Sequence, residues 1–101
     1  MNTKESIRDY LIESIERTLG GEQYIFKFDN NYGASIIRGF GTYGNEKGLW
    51  ELAVIYGYMD GQKYVWELTY DTEITDDVIG YLNKQDILEL LIRIKNLKEL
   101  G

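Results

Sequence analysis

The sequence predicts an α+β fold, a four-stranded antiparallel meander with an N-terminal and a C-terminal helix packed on one face. Four short segments alternate apolar and polar residues and are separated by turn-forming residues, as strands do. One segment at each end of the chain repeats apolar residues at helical spacing instead. Because 101 residues supply one hydrophobic core, we expect a single domain over residues 1–101.

The first helix is expected over residues 3–19. Ile7, Leu11 and Ile15 recur at every fourth position, which places them on one face of a helix. The glycine pair at 20–21 is a typical helix stop. The predicted element order is therefore α-β-β-β-β-α.

The four strands follow this helix and are joined by short turns. Asp60-Gly61 is a strong signal for a tight hairpin, and residues 39–48, with four glycines, form the longest loop. The expected strands are 24–28, 34–38, 49–56 and 63–70.

The C-terminal part is expected to contain two helix starts. Thr75, followed by Asp76 and Asp77, predicts a cap that opens a short helical turn through about residue 82. Asn83 is expected to cap the final helix, with Asp86 completing a capping box. The apolar stripe of that helix consists of Ile87, Leu90, Leu91, Ile94 and Leu97.

Composition excludes several kinds of chemistry. The chain has no cysteine and no histidine, so thiolate zinc sites and Ser-His or Cys-His nucleophile pairs are ruled out, and we expect no cofactor. A net charge of −6 argues against direct nucleic-acid binding but permits docking on a basic partner. The polar start and the lack of a long apolar run predict a cytoplasmic protein without a membrane segment.

Residues 39–44 match the G-x-G-x-x-G pattern. That motif holds a pyrophosphate only between a strand and a helix N-terminus, whereas strands are expected on both sides here. We therefore expect a flexible hairpin loop, whose Phe40 and Tyr43 could fold over a partner or a ligand.

An acidic segment offers oxygen ligands for a hard cation. Asp71, Asp76 and Asp77 lie within seven residues, together with Glu73 and Thr75. The spacing matches no calcium loop, and helix capping explains Thr75, Asp76 and Asp77 without a metal. A metal-assisted hydrolase is therefore the least favoured hypothesis, and we expect neither a metal nor an enzyme.

Arg38, at the end of a strand beside the glycine loop, is the cation with the clearest binding potential. It could hold a phosphate or a carboxylate bidentately. The alternative is an ion pair with Glu51 or Glu46 across the sheet.

The aromatic residues of the strands permit two interpretations. They are most simply core residues, since aromatic side chains bury much area. If Tyr24, Trp50 and Trp66 lie on an uncovered face, they instead form an aromatic platform that would mark a binding site.

Three blocks of sequence resemble a family of small proteins of unknown role found in bacteriophages and prophages. They are residues 31–38 (NYGASIIR), 48–54 (GLWELAV) and 70–82 (YDTEITDDVIGYL). The resemblance implies a phage context, in which small accessory proteins commonly bind and disable host machinery, as anti-CRISPR and other anti-defence proteins do. It implies no catalytic role.

The leading hypothesis is a non-catalytic phage-type protein that binds and inhibits a host protein, for example a basic nucleic-acid-binding effector. Two alternatives stay open: an oligomeric sponge for a small nucleotide signal, and a minor structural phage protein. The sequence leaves the oligomeric state undetermined. The expected binding residues are Arg38, Phe40, Tyr43, Trp50, Asp76 and Asp77.

Overall fold

The fold is a curled antiparallel sheet with one helix, seen in a computed structural model that describes residues 6–17, 19–42, 44–69, 72–74 and 78–98. Two short 3-10 turns, Ile7–Tyr10 and Asn45–Lys47, accompany the strands. The main elements are β1 (Leu11–Glu16), β2 (Gly21–Lys27), β3 (Tyr32–Gly39), β4 (Trp50–Asp60), β5 (Lys63–Leu68), β6 (Ile79–Leu82) and α1 (Lys84–Lys95).

The strands β1 to β5 form an antiparallel half-barrel in chain order, and β6 extends it. β6 pairs with the start of β4, on the same side as β5, which pairs with the end of β4. The expected four-stranded sheet with two helices is therefore wrong: two strands were missed and one predicted helix is absent from the described residues.

The segment expected as the first helix contains, in its described part, a 3-10 turn followed by a strand. After the 3-10 turn capped by Ser6, β1 pairs with β2, with Leu11 opposite Phe26 and Ile15 opposite Gln23. Hydrogen bonds to β2 satisfy the backbone groups of β1 that face it, so tertiary pairing overrides the helical spacing of the apolar residues. The glycine pair expected to end a helix lies instead at the turn from β1 into β2.

A second correction concerns residues 79–82, expected in a helical turn. They form β6, in which Leu82 pairs with Trp50 and Ile79 with Leu52. The first residues of β4, which β5 does not reach, thus gain backbone partners from β6. Local sequence could not predict this pairing, because the two strands are far apart in the chain. The proposed cap at Thr75, Asp76 and Asp77 lies outside the described residues.

The predicted final helix is confirmed, with its cap. The Asn83 side chain accepts a hydrogen bond from the Asp86 N–H at 2.8 Å, and the Asp86 carboxylate accepts one from the Asn83 N–H at 3.1 Å. In the part of the chain described, no helix has the length and apolarity needed to cross a membrane.

The main core lies between α1 and one face of the sheet. Each large apolar side chain buried there contributes about 1.5–3 kcal/mol. Its buried members are Tyr10, Phe28, Tyr32, Ala34, Ile36, Trp50, Leu52, Val54, Leu82, Ile87, Leu91, Ile94 and Leu97.

The opposite face of the sheet is buried by its own curvature. Ile25 and Ile55 point away from the α1 side, yet both are completely buried. Tyr64 of β5 spans this face: its hydroxyl donates to the Asn31 carbonyl at 3.4 Å, and its ring centroid lies 6.0 Å from Lys27 Nζ. Side chains of β5 therefore approach β2 and the β2–β3 turn across the concave side of the half-barrel.

The Asn30 side chain fixes the C-terminal end of α1 to the β2–β3 turn. Its Nδ2 donates to the carbonyls of Ile94, Lys95 and Leu97 at 2.9, 3.2 and 2.8 Å. Its Oδ1 accepts from the Tyr32 N–H at 3.0 Å. The two hydrogens of one amide group are thus shared among three carbonyls at the helix end, of which that of Ile94 also accepts from the Leu97 N–H at 3.1 Å.

Replacing Asn30 should destabilise the protein through this contact. We expect Asn30→Ala to lower the free energy of unfolding in urea by about 2 kcal/mol. Asn30→Asp keeps the acceptor for Tyr32 but places a carboxylate against helix carbonyls and the negative end of the dipole, so it should cost at least as much. Gln62→Ala, on the exposed hairpin turn, is the control. An aspartate variant as stable as the wild type would contradict the role of the Nδ2 contacts.

A second prediction concerns alkaline pH. Burial, and secondarily the neighbouring Tyr56, raise the pKa of Tyr64 from 10.0 to about 12. The unfolded state therefore loses this proton first, so stability is intact below pH 10 and falls as the pH rises to 12. A shift of two pKa units corresponds to about 2.7 kcal/mol in full, and because Tyr64 is only half-buried we expect it to account for about 1 kcal/mol of this fall. Urea unfolding at several pH values should show a shallower decline for Tyr64→Phe, whereas a constant difference between the two proteins would contradict the assignment.

Candidate functional site

Two loops meet at one end of the sheet and border an open cleft. One is the β1–β2 turn, in which Leu19 and Gly20 have φ values of 68° and 84°; the other follows β3. Gly21 and Gly39 are paired, and a Cβ on Gly39 would lie 2.8 Å from the Gly20 carbonyl oxygen, so only glycine permits this approach. The cleft measures about 440 Å³, and its lining includes Leu19, Gly20, Glu22, Arg38, Phe40 and Asn45.

Thr42 fixes the start of the second loop. Its hydroxyl accepts from the Gly39 N–H at 3.0 Å and donates to the Gly39 carbonyl at 2.7 Å. The loop therefore turns directly after β3, which leaves the Phe40 side chain 72% exposed at the mouth of the cleft.

Arg38 is held by three contacts. Its Nη2 donates to Glu22 Oε1 at 2.6 Å, and its Nη1 donates to the Gly48 carbonyl at 3.3 Å. Its guanidinium carbon lies 4.3 Å from the centroid of the Trp50 ring. The Arg38 and Glu22 side chains are 35% and 34% exposed, so the pair is half-buried and reachable from the cleft.

The carboxylate that pairs with Arg38 is Glu22, and neither Glu51 nor Glu46. Glu22 lies directly opposite Arg38 in the β2–β3 register. Glu51 pairs in register with Ile37, which places it on the other face of the sheet. The sequence could not identify the partner, because residues 21–23 were not expected to belong to a strand.

Trp50 packs against the Arg38 guanidinium from the core side of the sheet. It is 8% exposed, belongs to the core beneath α1, and its ring centroid is 5.7 Å from that of Tyr24. Trp66 faces the concave side instead, opposite Gly57. The three aromatic residues therefore form no common platform, because strand alternation places them on different faces.

Further exposed apolar residues surround the cleft. Leu19 is 78% exposed at its rim. Tyr81, 61% exposed, lines an adjoining cleft of about 280 Å³ that shares Asn45 with the first. We call the set formed by Leu19, Glu22, Arg38, Phe40 and Tyr81 the loop-end surface.

Tyr81 is held at this position against its backbone preference. Its φ of 59° is in the left-handed region, which costs a non-glycine residue about 1 kcal/mol. It packs against Gly44, where an added Cβ would lie 3.2 Å from Tyr81 Cδ1. Neither Tyr81 nor Leu19 could be singled out from the sequence, because Tyr81 lies in an expected helical turn and Leu19 at the expected end of a helix.

The other expected binding residues cannot be assigned to this surface. Tyr43, Asp76 and Asp77 lie outside the described residues, as does Asp71 of the acidic segment. Among the residues that the structure does describe, no group of three acidic side chains is arranged to hold a metal ion.

No protein-family model, curated protein or solved structure matches this chain. The resemblance to small phage proteins therefore stays a prediction, and function has to be inferred from the chain's own residues.

The contact between Arg38 and Glu22 can be measured directly. We expect a double-mutant cycle with Arg38→Gln and Glu22→Gln in urea to give a coupling free energy of about 0.5–1 kcal/mol, since the pair is half-exposed. The coupling should weaken in 1 M salt (about 3 Å Debye length), which screens exposed charges. The control is a second cycle with Arg38→Gln and Glu46→Gln. Equal coupling free energies in the two cycles would contradict the pairing of Arg38 with Glu22.

Proposed function

We propose that this chain is a non-catalytic binding protein that docks on another protein through the loop-end surface. The observation that carries the proposal is the concentration of exposed apolar side chains there. Among the described residues, four large apolar side chains are more than three-fifths exposed, and three of them, Leu19, Phe40 and Tyr81, belong to this surface. Exposed aromatic residues beside an arginine are typical anchors of protein–protein interfaces.

The state of Arg38 favours a protein partner over a small anionic ligand. Its guanidinium already pairs with Glu22 at 2.6 Å, so a nucleotide phosphate would have to displace or face a carboxylate. A protein surface can instead offer a complementary charged pair and cover Phe40 and Leu19 at the same time. The nucleotide-sponge hypothesis is therefore the second candidate.

We further propose that the partner is a host protein, in the phage context that the sequence resemblance implies. The net charge of −6 suits a basic partner such as a nucleic-acid-binding effector, whose binding groove an acidic protein could occupy. Inhibition by occupancy requires no catalytic group on this chain. An anti-CRISPR or other anti-defence role fits these properties, and a minor structural role in a phage particle is the remaining alternative.

The test is an affinity pull-down from a bacterial lysate with the tagged wild type and two variants. Phe40→Asp places a charge in the centre of the loop-end surface. Tyr58→Asp makes the same change at a comparably exposed position, 61%, on the distant β4–β5 hairpin. We expect the wild type and Tyr58→Asp to recover the same protein at near-equal amounts, and Phe40→Asp to recover about tenfold less.

Thermal melts should first show that both variants fold. Equal recovery by Phe40→Asp would contradict docking through this surface. A nucleotide released on heating, without a bound protein, would favour the sponge hypothesis, and recovery of the chain with purified virions would favour the structural role.

A further inference from the structure

The strand β5 presents an open edge. Among the described residues it pairs with β4 alone, and Val65 and Leu68 are 36% and 45% exposed. An exposed edge strand with apolar side chains offers backbone hydrogen bonds to another strand. This edge is separate from the loop-end surface, to which β5 contributes no residue.

The backbone groups available at this edge follow from the hydrogen-bond alternation. The Gly57 N–H donates to the Asn31 carbonyl, on the β3 side of β4. The Thr69 N–H donates to the Val54 carbonyl, in register with the β4–β5 pairing. In an antiparallel ladder the bonded residues alternate, so the N–H and C=O groups of Tyr64, Trp66 and Leu68 point outward.

We propose that two copies of this chain form a two-fold symmetric dimer by antiparallel pairing of their β5 strands. With the outward groups at even positions, one register places Val65 opposite Val65 of the second copy. The same register places Lys63 opposite Glu67 twice, once on each side of the axis. It also places Tyr64 opposite Trp66 in both directions, on the concave face.

This register is selected by charge as well as by hydrogen bonding. Moving the strands by two residues would place Val65 opposite Glu67, or Lys63 opposite Val65, and would lose both ion pairs. The other edge strand, β1, offers a weaker case for self-pairing. Within Leu11–Glu16 it contains the exposed acids Glu13 and Glu16 and no lysine or arginine, and a symmetric register about Ile15 would pair Glu13 only with Arg17, beyond the end of the strand.

The test is sedimentation velocity of the full chain from about 1 µM to about 1 mM, for the wild type and four variants. We expect the wild type to approach twice the mass of one chain. Val65→Lys, which places two lysines on the axis, should raise the dimer dissociation constant by at least about tenfold. Lys63→Glu should weaken the dimer because it opposes two glutamates, and Lys63→Glu with Glu67→Lys should restore it.

Glu89→Lys, an exposed charge change on α1, is the control and should leave the mass unchanged. Circular dichroism melts of all variants separate loss of dimer from loss of fold. A wild type that stays monomeric throughout, or a dimer unaffected by Val65→Lys and Lys63→Glu, would overturn the proposal. A reversed-charge variant that fails to restore dimerisation would overturn the register.

Discussion

One helix has to cover a sheet that is hydrophobic on both faces, and the curl of the sheet resolves this problem. α1 covers the face that carries Trp50 and Leu52, whereas Ile25 and Ile55 on the other face are buried without a helix among the described elements. Curling brings β5 towards β2, so the sheet covers its own concave side. A flat sheet would leave those side chains in water, at a cost of about 1.5–3 kcal/mol each.

The stabilising contacts and the exposed site lie at opposite ends of β3. This strand begins at Tyr32, beside the Asn30 amide that holds the end of α1, and ends at Gly39, beside Arg38. The half-barrel therefore supports two loops that α1 does not need to cover. This separation explains how Leu19 and Phe40 can stay exposed while Phe28 and Ile25 are completely buried.

Much of the fold could be predicted where the determining contacts are local. The capping box of Asn83 and Asp86 spans three residues, and the Asp60-Gly61 turn connects adjacent strands, so both were predicted correctly. β1 and β6 could not be predicted, because each depends on pairing with a distant strand. The same distinction applies to the residues of the site. Arg38 and Phe40 are near neighbours in sequence and could be predicted together, whereas Leu19 and Tyr81 are brought beside them only by the pairing of β1 and β6.

In the proposed binding role, the paired state of Arg38 would limit what the loop-end surface recognises. A free arginine would attract any phosphate or carboxylate, including nucleic acid, which is abundant in cells. Glu22 neutralises the charge of the Arg38 guanidinium, and Trp50 fixes its plane. The guanidinium therefore offers hydrogen bonds in fixed directions but creates no strong positive potential around it. A partner bound as proposed would have to match the orientation of the pair and cover Phe40 together with it. Such binding would depend on shape and on buried apolar area, and the acidic net charge would act mainly on the rate of encounter.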